Sequence, residues 1–155
     1  MKRTRAAGII IENGKIALIR RVKNGKEHYV FPGGGVEDGE TVEEAVLREV
    51  LEETSLTVKI EKFLYHHIYD NDTDHVFYSC KYVSGIPSLG PGNELEEMKR
   101  NPSVLYEPVW VAVEKLSGLL LYPLEIRDFL IEDIKLKFEN TPKKVSIKIS
   151  ELRRA

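Results

Sequence analysis

One cysteine, Cys80, in 155 residues excludes an internal disulfide and suits a reducing compartment. Long apolar runs are missing too, and none approaches the roughly 20 residues of a transmembrane helix. The start, Lys2-Arg3-Thr4-Arg5, is basic, but the apolar run behind it is too short for a secretory signal. The expected location is therefore cytoplasmic, with no membrane partner. Charge of one sign is equally scarce. The net charge of −2 leaves no electrostatic footprint for duplex nucleic acid. Internal repeats and low-complexity segments are absent. What remains is the composition of an ordinary globular protein, 42% hydrophobic and 31% charged, expected to form one domain over residues 1–155.

Short strands and turn signals fill the first third. Ala6–Glu12 is rich in isoleucine, and Asn13-Gly14 reads as a hairpin turn into a returning strand over Ile16–Arg21. Alternation places Ile16, Leu18 and Arg20 on one face, and Ala17, Ile19 and Arg21 on the other. Asn24-Gly25 marks a further turn, and Tyr29–Phe31 a short strand. Thr41 and Glu44 have the spacing of a capping box, so a helix is expected from there. Leu56–Ile68 and His75–Val83 read as two more strands around a polar turn. A loop rich in Gly and Pro follows to about residue 103, with a helical turn at Glu94–Lys99. Loops of that length inside a domain are usually functional. Val109–Val113 reads as a strand, and Pro123 opens a helix to about Phe138. Residues 139–155 form an extension whose alternating Val145, Ile147 and Ile149 suggest an added edge strand, on which a homodimer could be built. Strands first and helices after them point to an α/β fold.

The stretch from Phe31-Pro32-Gly33-Gly34-Gly35 to Leu56 is the most informative. At 3.6 residues per turn, Glu49, Glu52 and Glu53 fall within an arc of roughly 100°. Three like charges so close repel one another, and a hard divalent cation such as magnesium or manganese offsets that repulsion. The glycines are expected to form a flexible turn ahead of the helix. Arg48, one turn before Glu52, is placed to orient and screen the carboxylates.

These residues resemble the Nudix hydrolase box, G-x5-E-x7-R-E-U-x-E-E-x-G-U, with U a bulky aliphatic residue. Gly34, Glu40, Arg48, Glu49, Val50, Glu52, Glu53 and Leu56 hold their box positions, whereas Ser55 stands where the family has glycine. The resemblance implies an α/β/α sandwich with a mixed β-sheet and a pyrophosphohydrolase requiring Mg2+, or Mn2+ in its place. It also implies Glu49, Glu52 and Glu53 as the metal group. Glu40 and the carbonyl of Gly34 or Gly35 are further contributors. Glu53 is the first choice of general base, with Glu107 the alternative and Glu94, Glu96 and Glu97 weaker ones. Arg20 and Arg21 are the candidates for substrate phosphate. A serine in the left-handed conformation that ends such a helix costs on the order of 1 kcal/mol, unless Thr54 and Ser55 close it through side-chain hydrogen bonds.

The expected substrate is a small nucleotide. Asp72 stands near where ADP-ribose hydrolases place a proline, and Tyr69 is out of register with the tyrosine of dinucleoside polyphosphate hydrolases. A MutT-like nucleoside triphosphate pyrophosphohydrolase is the preferred expectation. The alternatives are an ADP-ribose or nucleotide-sugar pyrophosphatase, and a non-catalytic nucleotide-sensing module. The basic residues Lys143, Lys144, Lys148, Arg153 and Arg154 are the only hint of an RNA partner.

Overall fold

The computed structural model describes residues 2–151. Its chain runs β1 (Arg3–Glu12), β2 (Lys15–Lys23), β3 (Lys26–Val30), β4 (Gly33–Gly35), α1 (Val42–Thr54), β5 (Thr57–Tyr69), β6 (Thr73–Ser84) and α2 (Asn93–Arg100). Then follow β7 (Val104–Ala112), β8 (Leu121–Tyr122), α3 (Leu124–Lys135) and β9 (Lys143–Ile147). The two Asn-Gly pairs make the tight turns β1–β2 and β2–β3. Both residues of each pair have positive φ, at 51° and 73° for Asn13-Gly14 and 52° and 76° for Asn24-Gly25. Mirror-image turns of that kind match strand twist and fix register.

The sheet is mixed, in the order β8-β3-β2-β1-β6-β5-β9, with β4 paired to β1 and β7 to β2. Parallel pairs are β1–β6, β3–β8 and β5–β9. Two apolar clusters cover its faces. Ala6, Ile10 and Ala17 meet Ala45, Val46 and Val50 of α1 on one side. Ala7, Ile9, Ile16 and Leu18 meet Ile126 and Leu130 of α3 on the other. The alternation of β1 and β2 thus feeds two cores, which is the α/β/α sandwich.

Several boundaries differ from the expectation for physical reasons. The glycine triplet is not a flexible turn but strand β4, whose Gly33, Gly34 and Gly35 pair with Ala7, Ala6 and Arg5. None of the three has a positive φ. Closeness decides: a Cβ on Gly33 would lie 2.5 Å from the Ala6 carbonyl oxygen and 2.7 Å from the Ala7 Cα. β7 begins five residues earlier than Val109 and runs through Pro108, which an edge strand tolerates because it needs no donor outward. Glu107 therefore lies inside a strand and not ahead of one. The α3 helix stops at Lys135, short of Phe138, where Lys137 and Phe138 adopt left-handed φ of 52° and 60°. Pro123 is its N-cap. The helical turn in the long loop is a full helix, α2, held to β7 by the Tyr106 hydroxyl donating to Glu97. Of the alternating tail, Lys143–Ile147 forms the edge strand β9, Ile149 lies in a short turn beyond it, and Arg153 and Arg154 lie outside the described residues. Among the described residues, no helix is long and apolar enough to cross a membrane.

Candidate active site

Thr41 starts α1 as its N-cap, accepting a hydrogen bond from the Glu44 N–H at 3.1 Å. Val46 and Val50 on one side of the helix enter the core, and this fixes its rotation. The acidic arc is thereby turned toward β4 and the segment Gly90–Glu94. Between them lies a cavity of about 340 Å3, lined by Gly34, Arg48, Glu49, Glu52, Glu53 and Glu94 among others.

Arg48 organises its rim. Its guanidinium donates to Glu40 through two nitrogens, at 2.6 and 2.9 Å, to Glu49 at 2.9 Å, to Glu52 at 3.4 Å and to the Gly35 carbonyl at 3.0 Å. Hydrogen bonds from Arg48 and from the Glu37 N–H hold the Glu40 carboxyl down at about 2. Glu40 is thus an anchor for Arg48, and the Gly35 carbonyl is likewise taken up by that side chain.

Glu53 sits at the bottom with only 5% of its surface exposed. Burial, then the neighbouring charges of Glu49 and Glu94 and a hydrogen bond with Glu49, push its carboxyl up to about 9, against the pull of Arg21. At neutral pH it therefore carries a proton. Gly34 is packed so closely on Glu49 that a Cβ there would stand 2.4 Å from its Oε1. Among the described residues, no three His, Cys, Asp or Glu side chains already enclose an ion-sized point. Arg48 holds the Glu49 carboxylate at 2.9 Å. The donor set nonetheless fits a hard divalent cation. Glu49, Glu52, Glu53 and Glu94 supply carboxylate oxygens around one cavity, and the buried Glu53 holds a proton that a cation can replace.

The two arginines of β2 separate as alternation requires. Arg21 shares its face of the sheet with Ala17, toward α1, and its guanidinium stacks over the Tyr106 ring at 5.2 Å. Its Nε is buried and has no hydrogen-bond partner among the described residues. Arg20 lies on the opposite face and pairs with Glu27 at 2.5 Å and with Glu107 at 3.8 Å. Glu107, cross-strand partner of Arg20, thus shares the face away from Glu53. The structure puts Arg21 within electrostatic reach of Glu53, though not in the lining of the cavity, and leaves Arg20 and Glu107 on the opposite face.

Trp110 packs on Tyr82 in the α1-side core. His66 binds Asp74 at 2.7 Å. His67 is fully buried 3.7 Å from Glu125, and neither ring nitrogen of His67 nor either oxygen of Glu125 has a hydrogen-bond partner among the described residues. The rings of His28 and Tyr122 lie 5.4 Å apart, with His28 directly across from Arg21 and neither among the residues lining the cavity. Sequence reasoning underweighted Glu94. The β2 alternation was a usable signal for Arg21. Nothing local announces that Glu94 approaches Glu53, because that contact depends on how the loop folds back.

A family model for the NUDIX domain matches residues 2–131. The chain is 53% identical over 58 residues to an ADP-ribose pyrophosphatase of Methanocaldococcus jannaschii, covering 37% of this chain and 34% of that protein. It is 36% identical over 84 residues to a MutT-like protein of Streptomyces ambofaciens, covering 52% of each. The chain thus spans about a third to a half of the length of these relatives. Its fold matches the crystal structure of a NUDIX hydrolase from Nitrosomonas europaea with a TM-score of 0.70 at 16% identity, over 94% of this chain and 80% of that one.

Proposed function

The chain belongs to the Nudix hydrolase family, and on that premise we propose that it hydrolyses the diphosphate linkage of a nucleoside diphosphate derivative with the help of Mg2+ or Mn2+. The observation that carries this reading is the cavity itself, where Glu49, Glu52, Glu53 and Glu94 converge, with the charge of Arg21 felt by Glu53 from behind it. A purely structural acidic face would be solvated; here one carboxyl is buried deeply enough to keep its proton.

Glu49, Glu52 and Glu53 would hold the cation, with Glu94 beside them. A divalent cation bound there neutralises phosphate charge and acidifies an attacking water. Arg48 keeps Glu49 and Glu52 aimed, itself pinned by Glu40. Arg21 would be the phosphate contact, since its cation acts on Glu53 and the Tyr106 face fixes its plane. Glu53, in its ionised form, would be the carboxylate that accepts a proton from water. Beyond Arg21 the rings of His28 and Tyr122 offer a surface for a heteroaromatic base.

A nucleoside triphosphate is the preferred substrate. The similarity to an ADP-ribose pyrophosphatase supports ADP-ribose or a nucleotide sugar as the second reading, although it spans only 58 residues. A panel of nucleoside triphosphates, ADP-ribose and nucleotide sugars, assayed with Mg2+ and with Glu53→Gln as control, decides between them. A hit that the variant abolishes supports the enzyme and names its substrate class. Binding of metal and nucleotide without turnover of any panel member would refute hydrolysis and leave a nucleotide-sensing module.

A further inference from the structure

The segment 85–92 lies across the last turn of α1. Two of its amides satisfy carbonyls that the helix end leaves open: Ser88 N–H donates to Thr54 at 3.0 Å and Gly90 N–H to Glu52 at 2.9 Å. The approach is as close as backbone allows. A Cβ on Gly90 would stand 2.6 Å from the Glu52 carbonyl oxygen, and one on Gly85, at φ +110°, 2.5 Å from that of Ser55.

Two hydroxyls then join the layers. Ser55 Oγ donates to the Ser88 carbonyl at 2.7 Å, and Ser88 Oγ donates to Ser55 Oγ at 2.9 Å. The helix does not need the Ser55 hydroxyl to end. Its own N–H reaches Leu51 at 2.9 Å, while the Thr54 hydroxyl donates to Val50 at 2.6 Å and accepts from the Leu56 N–H at 3.1 Å. Ser55 sits at φ 63°, where glycine would be less strained by about 1 kcal/mol. The chain thus carries a strained residue whose side chain serves only the loop. Directly beyond the joined segment, Gly92 leads into α2, whose second residue Glu94 lines the acidic cavity with Glu49, Glu52 and Glu53.

We propose that Ser55 and Ser88 form a clamp that holds the 85–92 segment on α1 and so sets Glu94 at the cation site, which makes both serines positioning residues for it. The proposal rests on the metal-dependent reading above. It departs from simple helix capping in one respect: removing the Ser55 hydroxyl should harm the cavity while sparing the helix.

The test is Mn2+ binding by calorimetry to the full chain, joined to amide hydrogen exchange. In Ser55→Gly the Mn2+ dissociation constant should rise about 3- to 10-fold, the range of one or two lost hydrogen bonds. The amides of 86–94 should exchange faster, with those of α1 unchanged. Ser88→Ala, which loses one bond and keeps that of Ser55 to the Ser88 carbonyl, should give a smaller rise in the same direction, and Ser88→Thr, which keeps the hydroxyl, should restore binding. Glu94→Gln should also weaken Mn2+ binding, and adding Ser55→Gly to it should cost nothing more. Parental Mn2+ affinity in Ser55→Gly, or full additivity in the double variant, overturns the clamp alone. A parent chain that binds no Mn2+ overturns the metal reading and the clamp with it.

Discussion

Replacing Glu53 by glutamine should stabilise the metal-free protein at alkaline pH while abolishing its activity. The folded carboxyl titrates at about 9 against an ordinary value of 4.5, because it is buried beside Glu49 and Glu94. For an acid with a raised folded pKa, the folded state holds a proton that the unfolded chain releases. Stability is therefore fully present below pH 4.5 and falls continuously until pH passes about 9. Each pH unit in that window is worth about 1.4 kcal/mol, so the loss by about pH 8 is at most about 5 kcal/mol. Relaxation and water entry lower the expected loss to about 2 kcal/mol. Glutamine has the same shape and no charge to bury. Urea unfolding in chelator at about pH 5 and pH 8 reads the difference. The parent should lose about 2 kcal/mol more than Glu53→Gln across the interval. With Mg2+ and substrate, kcat of the variant should fall at least about 100-fold. Parallel pH slopes for the two proteins would refute the buried-proton argument, and comparable turnover would refute the role of Glu53.

Three further outcomes can be checked directly. Arg48→Lys cannot reproduce the two-pronged bond to Glu40 and the reach to Glu49 together, so Mg2+-dependent kcat/KM should fall about 10-fold or more with thermal unfolding little changed; unchanged kinetics would show that the carboxylates orient themselves. Arg21→Gln should raise KM about 10-fold and leave the fold intact, measured by initial rates and circular dichroism, whereas Arg20→Gln should change neither. The glycines should divide. Gly34→Ala meets the side-chain carboxylate of Glu49 and should mainly weaken Mn2+ binding, while Gly33→Ala meets Ala6 and Ala7 backbone and should cost more than about 2 kcal/mol in urea unfolding. Equal stability of the two variants would contradict the packing described for β4.

The acidic helix was legible because its information is local: Thr41, Arg48 and the three glutamates need only the 3.6-residue period to find one another. Both Asn-Gly turns were legible for the same reason, since their φ values follow from residue type. Glu40 was not, because its partnership with Arg48 spans eight residues and a bend at Gly39, which has φ +80°. Glu107 was misplaced because Pro108 disguised β7, and only the pairing with β2 shows which face it shares. Ser55 stood out as an oddity, and its left-handed φ was anticipated. Its use could not be, because Ser88 lies 33 positions away.

The backbone pairing of β4 with β1 bears on how such a protein diversifies. The phosphate end is built from glycines that admit almost no side chain and from a helix locked to them, so selection has little there to vary. The opposite wall is different: the 85–103 segment and the short β8 edge are attached at fewer points, so side chains there can change with less disturbance to the sheet.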